Sequence, residues 1–261
     1  MTRLAVLSLK GGTGKTTVTL GLASAAARQG RRVVVVDCDP QGNASAALGI
    51  VNPSLTIGDA LADGRRGIAS DAVVRSQWPS PDFDRVHVIP ADRSLEHRAA
   101  SEPGSGSRLS RVLHGVGKSR DLVLIDCPPS LGELTRNALV AADGALIVTD
   151  PSYFALSGAE QAVDAITVIQ ESANPRLVLA GIVINRVRSR SREQTYRLNE
   201  VRESFADVVL EPVLTDRVCV PASQGAGLPI HTWPGVGAQA LSADFNQLLE
   251  TVLVRFQEIS A

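Results

Sequence analysis

Residues 9–17 read Leu9-Lys10-Gly11-Gly12-Thr13-Gly14-Lys15-Thr16-Thr17, and the reading of this stretch decides the fold. It closes the apolar run Leu4–Leu9 and opens a helical pattern over Thr16–Gln29 that stops at Gly30, a good residue for the left-handed end of a helix. Glycines let backbone N–H groups turn inward around a phosphate, and the new helix adds its positive N-terminal end. At these offsets Lys15 can reach β- and γ-phosphate oxygens while the Thr16 hydroxyl holds Mg²⁺. The plainer alternative is a glycine-rich turn with a chance lysine, and it leaves the combination of glycines, lysine and threonine between strand and helix unexplained.

Outward from this loop, apolar runs bounded by turn signals recur at Leu4–Leu9, Val33–Val36, Val86–Ile89, Leu122–Ile125, Ala145–Val148 and Leu177–Ile184. Short runs rich in Val, Ile and Leu suit strands covered on both faces, and so a parallel sheet. Helical patterns alternate with them at Thr16–Gln29, Leu134–Ala142, Ala159–Glu171, Arg192–Phe205 and Val236–Ile259. The expected fold is α/β, a doubly wound, mostly parallel sheet with helices on both faces. Trp78–Asp84 and Ser101–Ser107 read as loops through their Pro, Gly and Ser content. Neither separates two self-sufficient cores, so a single domain over residues 1–261 is expected.

The composition narrows the function classes. The chain has 261 residues, 44% apolar, with a formal charge of −1, which argues against disorder and against coating nucleic acid by bulk charge. With 5 Phe, 2 Tyr and 2 Trp it has few rings on which to stack bases. Cys38, Cys127 and Cys219 form no CxxC pair, so neither a disulfide framework nor a four-cysteine metal site is expected, and a reducing cytoplasm is the natural compartment. No stretch reaches the ~18 uninterrupted apolar residues of a membrane span.

Two further segments bring carboxylates to the same end of the sheet. The second run leads into Asp37-Cys38-Asp39-Pro40-Gln41-Gly42-Asn43, where alternation places Asp37 and Asp39 on one side, at the strand's C-terminal end. One can face the Mg²⁺ shell while the other orients a water for in-line attack. The fourth run ends in Leu122-Val123-Leu124-Ile125-Asp126-Cys127-Pro128-Pro129-Ser130, four apolar residues and an aspartate, the Walker B arrangement with Asp126 near the metal's waters. Cys38 and Cys127 adjoin these aspartates and read as small apolar fillers.

The phosphate loop departs from the standard pattern, with Leu9 where the first glycine belongs and an added Lys10. Written K-G-G-x-G-K-[ST]-T, it resembles the deviant Walker A ATPases, the group of ParA/Soj, MinD and the nitrogenase iron protein. Asp37–Ala44 is similar to the ParA/Soj signature D-x-D-P-Q-G-N-A, and Asp126–Ser130 looks like the group's D-x-P-P-S. The resemblance extends through Ser130–Ala138, Asp150–Gly158, Gly181–Arg186 and Ala222–Ile230. It implies that Lys10 reaches the nucleotide of a second subunit, that Asp39 positions the attacking water and that Asp37 stands behind the metal. It also implies that Gly11, Gly12, Thr13, Gly14, Lys15, Thr16 and Thr17 bind nucleotide and that Asn185 contacts adenine, with an Asx turn as the alternative reading of Asn185. The cofactors implied are ATP and Mg²⁺.

The bridging cysteines of the iron protein, the CxxC of metal-trafficking relatives and the second P-loop of arsenical-pump ATPases are missing. MinD ends in a basic membrane-binding helix, whereas here Phe245, Leu248, Leu249, Val252, Leu253, Phe256 and Ile259 form a stripe flanked by Asp244, Glu250 and Glu258, which reads as core packing. The partitioning branch remains. It implies an ATPase of weak intrinsic turnover that binds non-specific DNA as an ATP-bound homodimer, is reset by a ParB-like partner, and is cytoplasmic and nucleoid-associated, with no membrane binding. The chain begins at the phosphate-loop strand, so no N-terminal DNA-binding extension, and no operator specificity, is expected. Arg186, Arg188, Arg190, Arg192, Arg197 and Arg202 form the candidate phosphate-contacting run, with a solvated helix face as the alternative. Cys219 stands where close relatives place a DNA-binding arginine, and Arg217 is the candidate substitute. A relative that positions protein cargo, a MinD-like positioning ATPase, or a ligase of the dethiobiotin synthetase type are the other readings.

Overall fold

All six apolar runs become strands of one sheet. The computed structural model describes residues 2–95, 105–117, 122–188 and 190–260. Within these, β1 (Thr2–Leu7), β2 (Val33–Asp37), β3 (Val74–Arg75), β4 (Val86–Ile89), β5 (Leu122–Asp126), β6 (Gly144–Thr149), β7 (Val178–Ile184) and β8 (Val209–Leu210) lie in the order β3-β4-β2-β5-β1-β6-β7-β8. Every neighbouring pair is parallel except β3 with β4. Joining them are α1 (Lys15–Arg28), α2 (Asn43–Ala47), α3 (Ile57–Asp63), α4 (Arg108–Val112), α5 (Glu133–Ala141), α6 (Ala155–Ser172), α7 (Arg192–Phe205), α8 (Cys219–Gly225) and α9 (Val236–Ser260).

Alternate residues of each central strand feed two apolar clusters, one on each face. Leu4, Val6, Val33, Val35, Leu122, Leu124, Leu146 and Val148 pack with α1 and α9, while Ala5, Leu7, Val34, Val36, Val123, Ile125, Ala145 and Ile147 pack with α5 and α6. Both sets are buried, which is why the runs are continuously apolar and not alternating. Phe245, Leu248, Leu249 and Val252 of α9 are buried, and Leu253 and Phe256 pack against them. The stripe is therefore core, except that the side chains of Glu258 and Ile259 lie outside the described residues. α1 crosses α9 so closely that Gly21 has no room for a Cβ, because the Phe245 ring occupies that space. Among the described residues no helix is long and apolar enough to cross a membrane.

The boundaries differ where side chains intervene. β1 ends at Leu7 and not Leu9, because the Ser8 hydroxyl accepts from Lys10 N–H at 3.3 Å and donates to Lys10 O at 3.0 Å, turning the chain out of the sheet. α6 starts at Ala155, four residues ahead of the expected Ala159. The Trp78–Asp84 loop is packed: Phe83 is fully buried, the Trp78 ring meets it edge-on at 5.6 Å, and Trp78 Nε1–H donates to Ala47 O at 3.0 Å. Of the Ser101–Ser107 loop, residues 101–104 lie outside the described residues.

Candidate functional site

The loop after β1 wraps a cavity of about 930 Å³ at the C-terminal ends of the central strands. Gly11, Gly12, Gly14, Lys15, Thr16 and Thr17 line one wall, and Asp39, Gln41 and Asn43 face them. Asn185, Arg186, Asp216 and Arg217 line a further side. This is the crevice beside the strand-order reversal, where open α/β sheets bind ligands. Gly12 and Gly14 adopt φ +83° and +89°, values that L side chains rarely take and that shape the cradle. A Cβ at Gly14 would also collide with the Asn185 amide. The Thr13 hydroxyl donates to Ser8 Oγ at 2.9 Å beneath the loop. Lys15 is 7% exposed at the base of the cavity, so its charge is available only to a ligand inside it.

Under the loop lies a buried carboxylate pair. Thr16 Oγ1 donates to Asp126 Oδ2 at 2.7 Å, and Thr19 Oγ1 lies 3.0 Å from Asp126 Oδ1. Asp37 is paired in register with Asp126. It accepts from Ser45 N–H at 2.8 Å, from Ser45 Oγ–H at 2.7 Å and from Asp39 N–H at 3.2 Å. Both carboxyls are held above the usual carboxylate range: desolvation is the main cause for each, and Asp126 is raised further by the facing Asp37. Such a pair gains from a cation. Asp37 and Asp39 thus part company: Asp37 braces α2 from below, while Asp39 lines the cavity with Oδ1 accepting from Gln41 N–H at 3.0 Å. Thr19 and Ser45 escaped the sequence reading. Thr19 was signalled only by lying three residues after Thr16 on one helix face. Burial pushes the Cys38 and Cys127 thiols well up, as inert fillers require.

Three comparisons bear on this geometry. A family model described as an AAA domain matches residues 1–179. The sporulation initiation inhibitor protein Soj of Bacillus subtilis is 34% identical over 87% of this chain and 89% of its own length. The chromosome partitioning protein ParA of Caulobacter vibrioides is 36% identical over 87% of this chain and 85% of its own. The chain belongs to the ParA/Soj family of ATPases. Among solved structures, cobyrinic acid a,c-diamide synthase from Mycobacterium smegmatis, with bound ATP analog and magnesium, superposes with a TM-score of 0.79 at 27% identity over 98% of this chain and 96% of that one.

Outside the cavity of this ParA/Soj-family chain, Lys10 Nζ lies 3.3 Å from Asp150 Oδ2 and 3.2 Å from Ser152 Oγ, turned away from its own phosphate loop. The arginine run is largely engaged within the fold. Arg186 donates to Gly12 O, Arg188 pairs with Asp216 at 2.8 Å, Arg197 with Glu193 at 2.7 Å and Glu200 at 2.9 Å, and Arg202 with Glu211. Arg190 and Arg192 are exposed and make no ion pair among the described residues. Arg217 lines the cavity with a buried Nε that has no acceptor among the described residues, and Cys219 opens α8 beside it.

Proposed function

We propose that this ParA/Soj-family ATPase is an ATP- and Mg²⁺-dependent dimerisation switch that serves DNA partitioning. The observation that carries the reading is the placement of Asp39 across one cavity from the phosphate loop, with Lys15 and Thr16 on the loop and Asp126 beneath Thr16. The phosphates lie in the cradle of Gly11–Gly14, Lys15 neutralises the β- and γ-oxygens, and Thr16 and Thr17 close the helix end on them. Asn185 Nδ2 is spent on Thr13 O at 2.8 Å, which leaves its oxygen to accept from the exocyclic amine of adenine.

The donor set fits magnesium. Among the described residues no group of three or more His, Cys, Asp or Glu could cage a metal, and Mg²⁺ prefers a few protein oxygens completed by phosphates and water. Thr16 Oγ1 would hold it directly, and Asp126 and Asp37 through water. The metal supplies charge neutralisation at the phosphates. Asp39, fixed by Gln41, orients the attacking water. A lone carboxylate there makes a weak catalyst, in keeping with a timer that a ParB-like partner accelerates.

Lys10, parked on Asp150, turns to the other protomer's phosphates when two copies meet face to face. The dimer doubles a surface on which Arg190 and Arg192 are the ready phosphate contacts, with Arg188 and Arg217 behind them, so DNA is bound without sequence preference on the nucleoid. The test is sedimentation of wild type and Asp39→Ala with ADP or Mg·ATP, with and without duplex DNA at stated salt. An ATP-only dimer that binds DNA more weakly as salt rises, and that Asp39→Ala traps, supports the switch. An Asp39→Ala protein that stays monomeric with ATP removes the assigned role of Asp39. An ATP dimer indifferent to DNA moves the reading to a protein cargo or, if it binds liposomes, to a MinD-like positioning ATPase. Turnover that requires a small carboxylic-acid substrate replaces it with a biosynthetic ligase.

A further inference from the structure

Two consecutive residues after β7 grip two consecutive carbonyls of the phosphate loop. Asn185 Nδ2 donates to Thr13 O at 2.8 Å, and Arg186 Nη1 donates to Gly12 O at 2.6 Å. Both peptide links that follow these carbonyls are trans, since among the described residues only Glu211–Pro212 is cis. In a trans peptide the C=O and the N–H point in opposite directions. Gripping Gly12 O and Thr13 O from the β7 side therefore turns the Thr13 and Gly14 N–H groups away from Asn185 and Arg186. No acceptor among the described residues takes either N–H.

Among the described residues Arg186 is also one of four non-glycine residues with positive φ, at +60°, beside Asn52, Ser80 and Ala206, and of these four it alone lines the cavity. A left-handed backbone is strained for an L residue, and strain of this kind gathers where function over-determines it. The turn is what swings the Arg186 side chain back over the loop. Asp216, 4.0 Å from its Nε, flanks the guanidinium from the next loop.

We infer that Asn185 and Arg186 form a clasp that presets the phosphate cradle, with Arg186 a positioning residue acting through the Gly12–Thr13 peptide and touching neither base nor phosphate. The inference rests on the P-loop reading above. Because the clasp orients N–H groups that meet only phosphate, its loss falls equally on any ligand that fills the cradle.

The experiment compares ADP with inorganic pyrophosphate by calorimetry on the full chain, for wild type, Arg186→Met, Arg186→Lys and Arg186→Gly, at low and high salt. The clasp predicts that Arg186→Met weakens both probes by the same factor, about tenfold for one exposed hydrogen bond from a charged donor, at both salt concentrations. Arg186→Lys falls between. Arg186→Gly loses the same affinity, yet melts above Arg186→Met without ligand because it relieves the positive φ, an opposition that general damage to the fold would not produce. ADP weakened with pyrophosphate unchanged overturns the clasp in favour of contact with the nucleoside. A loss that vanishes at high salt overturns it in favour of plain charge attraction, and unchanged affinities overturn it outright. If the wild type binds neither probe, the P-loop reading itself falls.

Discussion

Replacing Gly21 by alanine sets two calculable effects against each other. In the middle of a helix, alanine for glycine is worth about 1 kcal/mol in favour of the variant, so by propensity alone the protein gains stability. At this position a Cβ would lie 2.5 Å from Phe245 Cδ1 and closer still to Cε1 and Cζ, against an ordinary carbon–carbon contact of about 3.5–4.0 Å. The ring must retreat by roughly 1 Å to restore contact distance, and Phe245 is 1% exposed between α1 and the sheet. Overpacking of this kind costs about 1–3 kcal/mol, occasionally more, and a ring wedged by three of its own atoms belongs at the upper end. We expect a net loss of about 1–2 kcal/mol, hence a thermal midpoint roughly 2–4 °C lower for a chain of this size. The assay is thermal and urea unfolding without nucleotide. Combining the change with Phe245→Leu should cost less than the sum of the two single changes, because the smaller side chain vacates the contested space. A Gly21→Ala protein as stable as the wild type, or more so, would refute the account of how α1 and α9 meet.

Three further outcomes are expected. Thr19→Val, nearly isosteric and fully buried, takes one donor from Asp126 and should weaken Mg²⁺-dependent ADP binding about tenfold while leaving Mg²⁺-free binding little changed, a contrast read by calorimetry with and without the metal. His231 Nε2–H donates to Asn246 Oδ1 at 3.1 Å and its Nδ1 accepts from Ser24, and burial, aided by the nearby Arg28 charge, holds the imidazole below its usual pKa. The native state therefore binds fewer protons than the unfolded chain near pH 6, and the stability His231 contributes, complete above about pH 6.5, drains away as pH falls. The difference in stability between wild type and His231→Gln should shrink from pH 7.5 to 5.5; the raised Asp37 and Asp126 favour the native state in the same acid range but cancel in this difference. Asp150→Asn frees Lys10 from an ion pair with exposures of 50% and 20%. Such a pair is worth at most about 1 kcal/mol, and a dimer frees two of them, so ATP-dependent dimerisation measured by sedimentation should tighten by no more than about thirtyfold, and a larger change would mean that Asp150 does more than hold Lys10.

The legible part of the molecule is the part whose chemistry is local in the chain. The phosphate loop, Asp39 and Asp126 each sit at the end of an apolar strand, so their sequence spacing maps directly onto the strand ends that meet in the cavity. β3 and β8 were invisible because two residues carry no periodicity, and α2, α3, α4 and α8 because five to seven residues hold too little of a helical repeat. α3 did carry a cue, since the Thr56 hydroxyl and the Asp59 carboxylate form a capping box. The arginine run reads as charge with Glu193 and Glu200 inside it, but two more of its acids, Asp216 and Glu211, come from the stretch before α8, so how much of the charge is already neutralised was set by the fold. The hold of Arg186 on Gly12 spans 174 residues and depends on a positive φ at a residue type that gives no hint of one.

The indole of Trp78, hydrogen-bonded to the carbonyl that ends α2, is tethered to the helix that begins four residues after Asp39. The chain has two tryptophans, and one of the two indoles lies at the back of this helix, in a niche closed by Phe83. The segment that faces the phosphate loop thus carries an optical gauge of its own position, readable in the unlabelled protein.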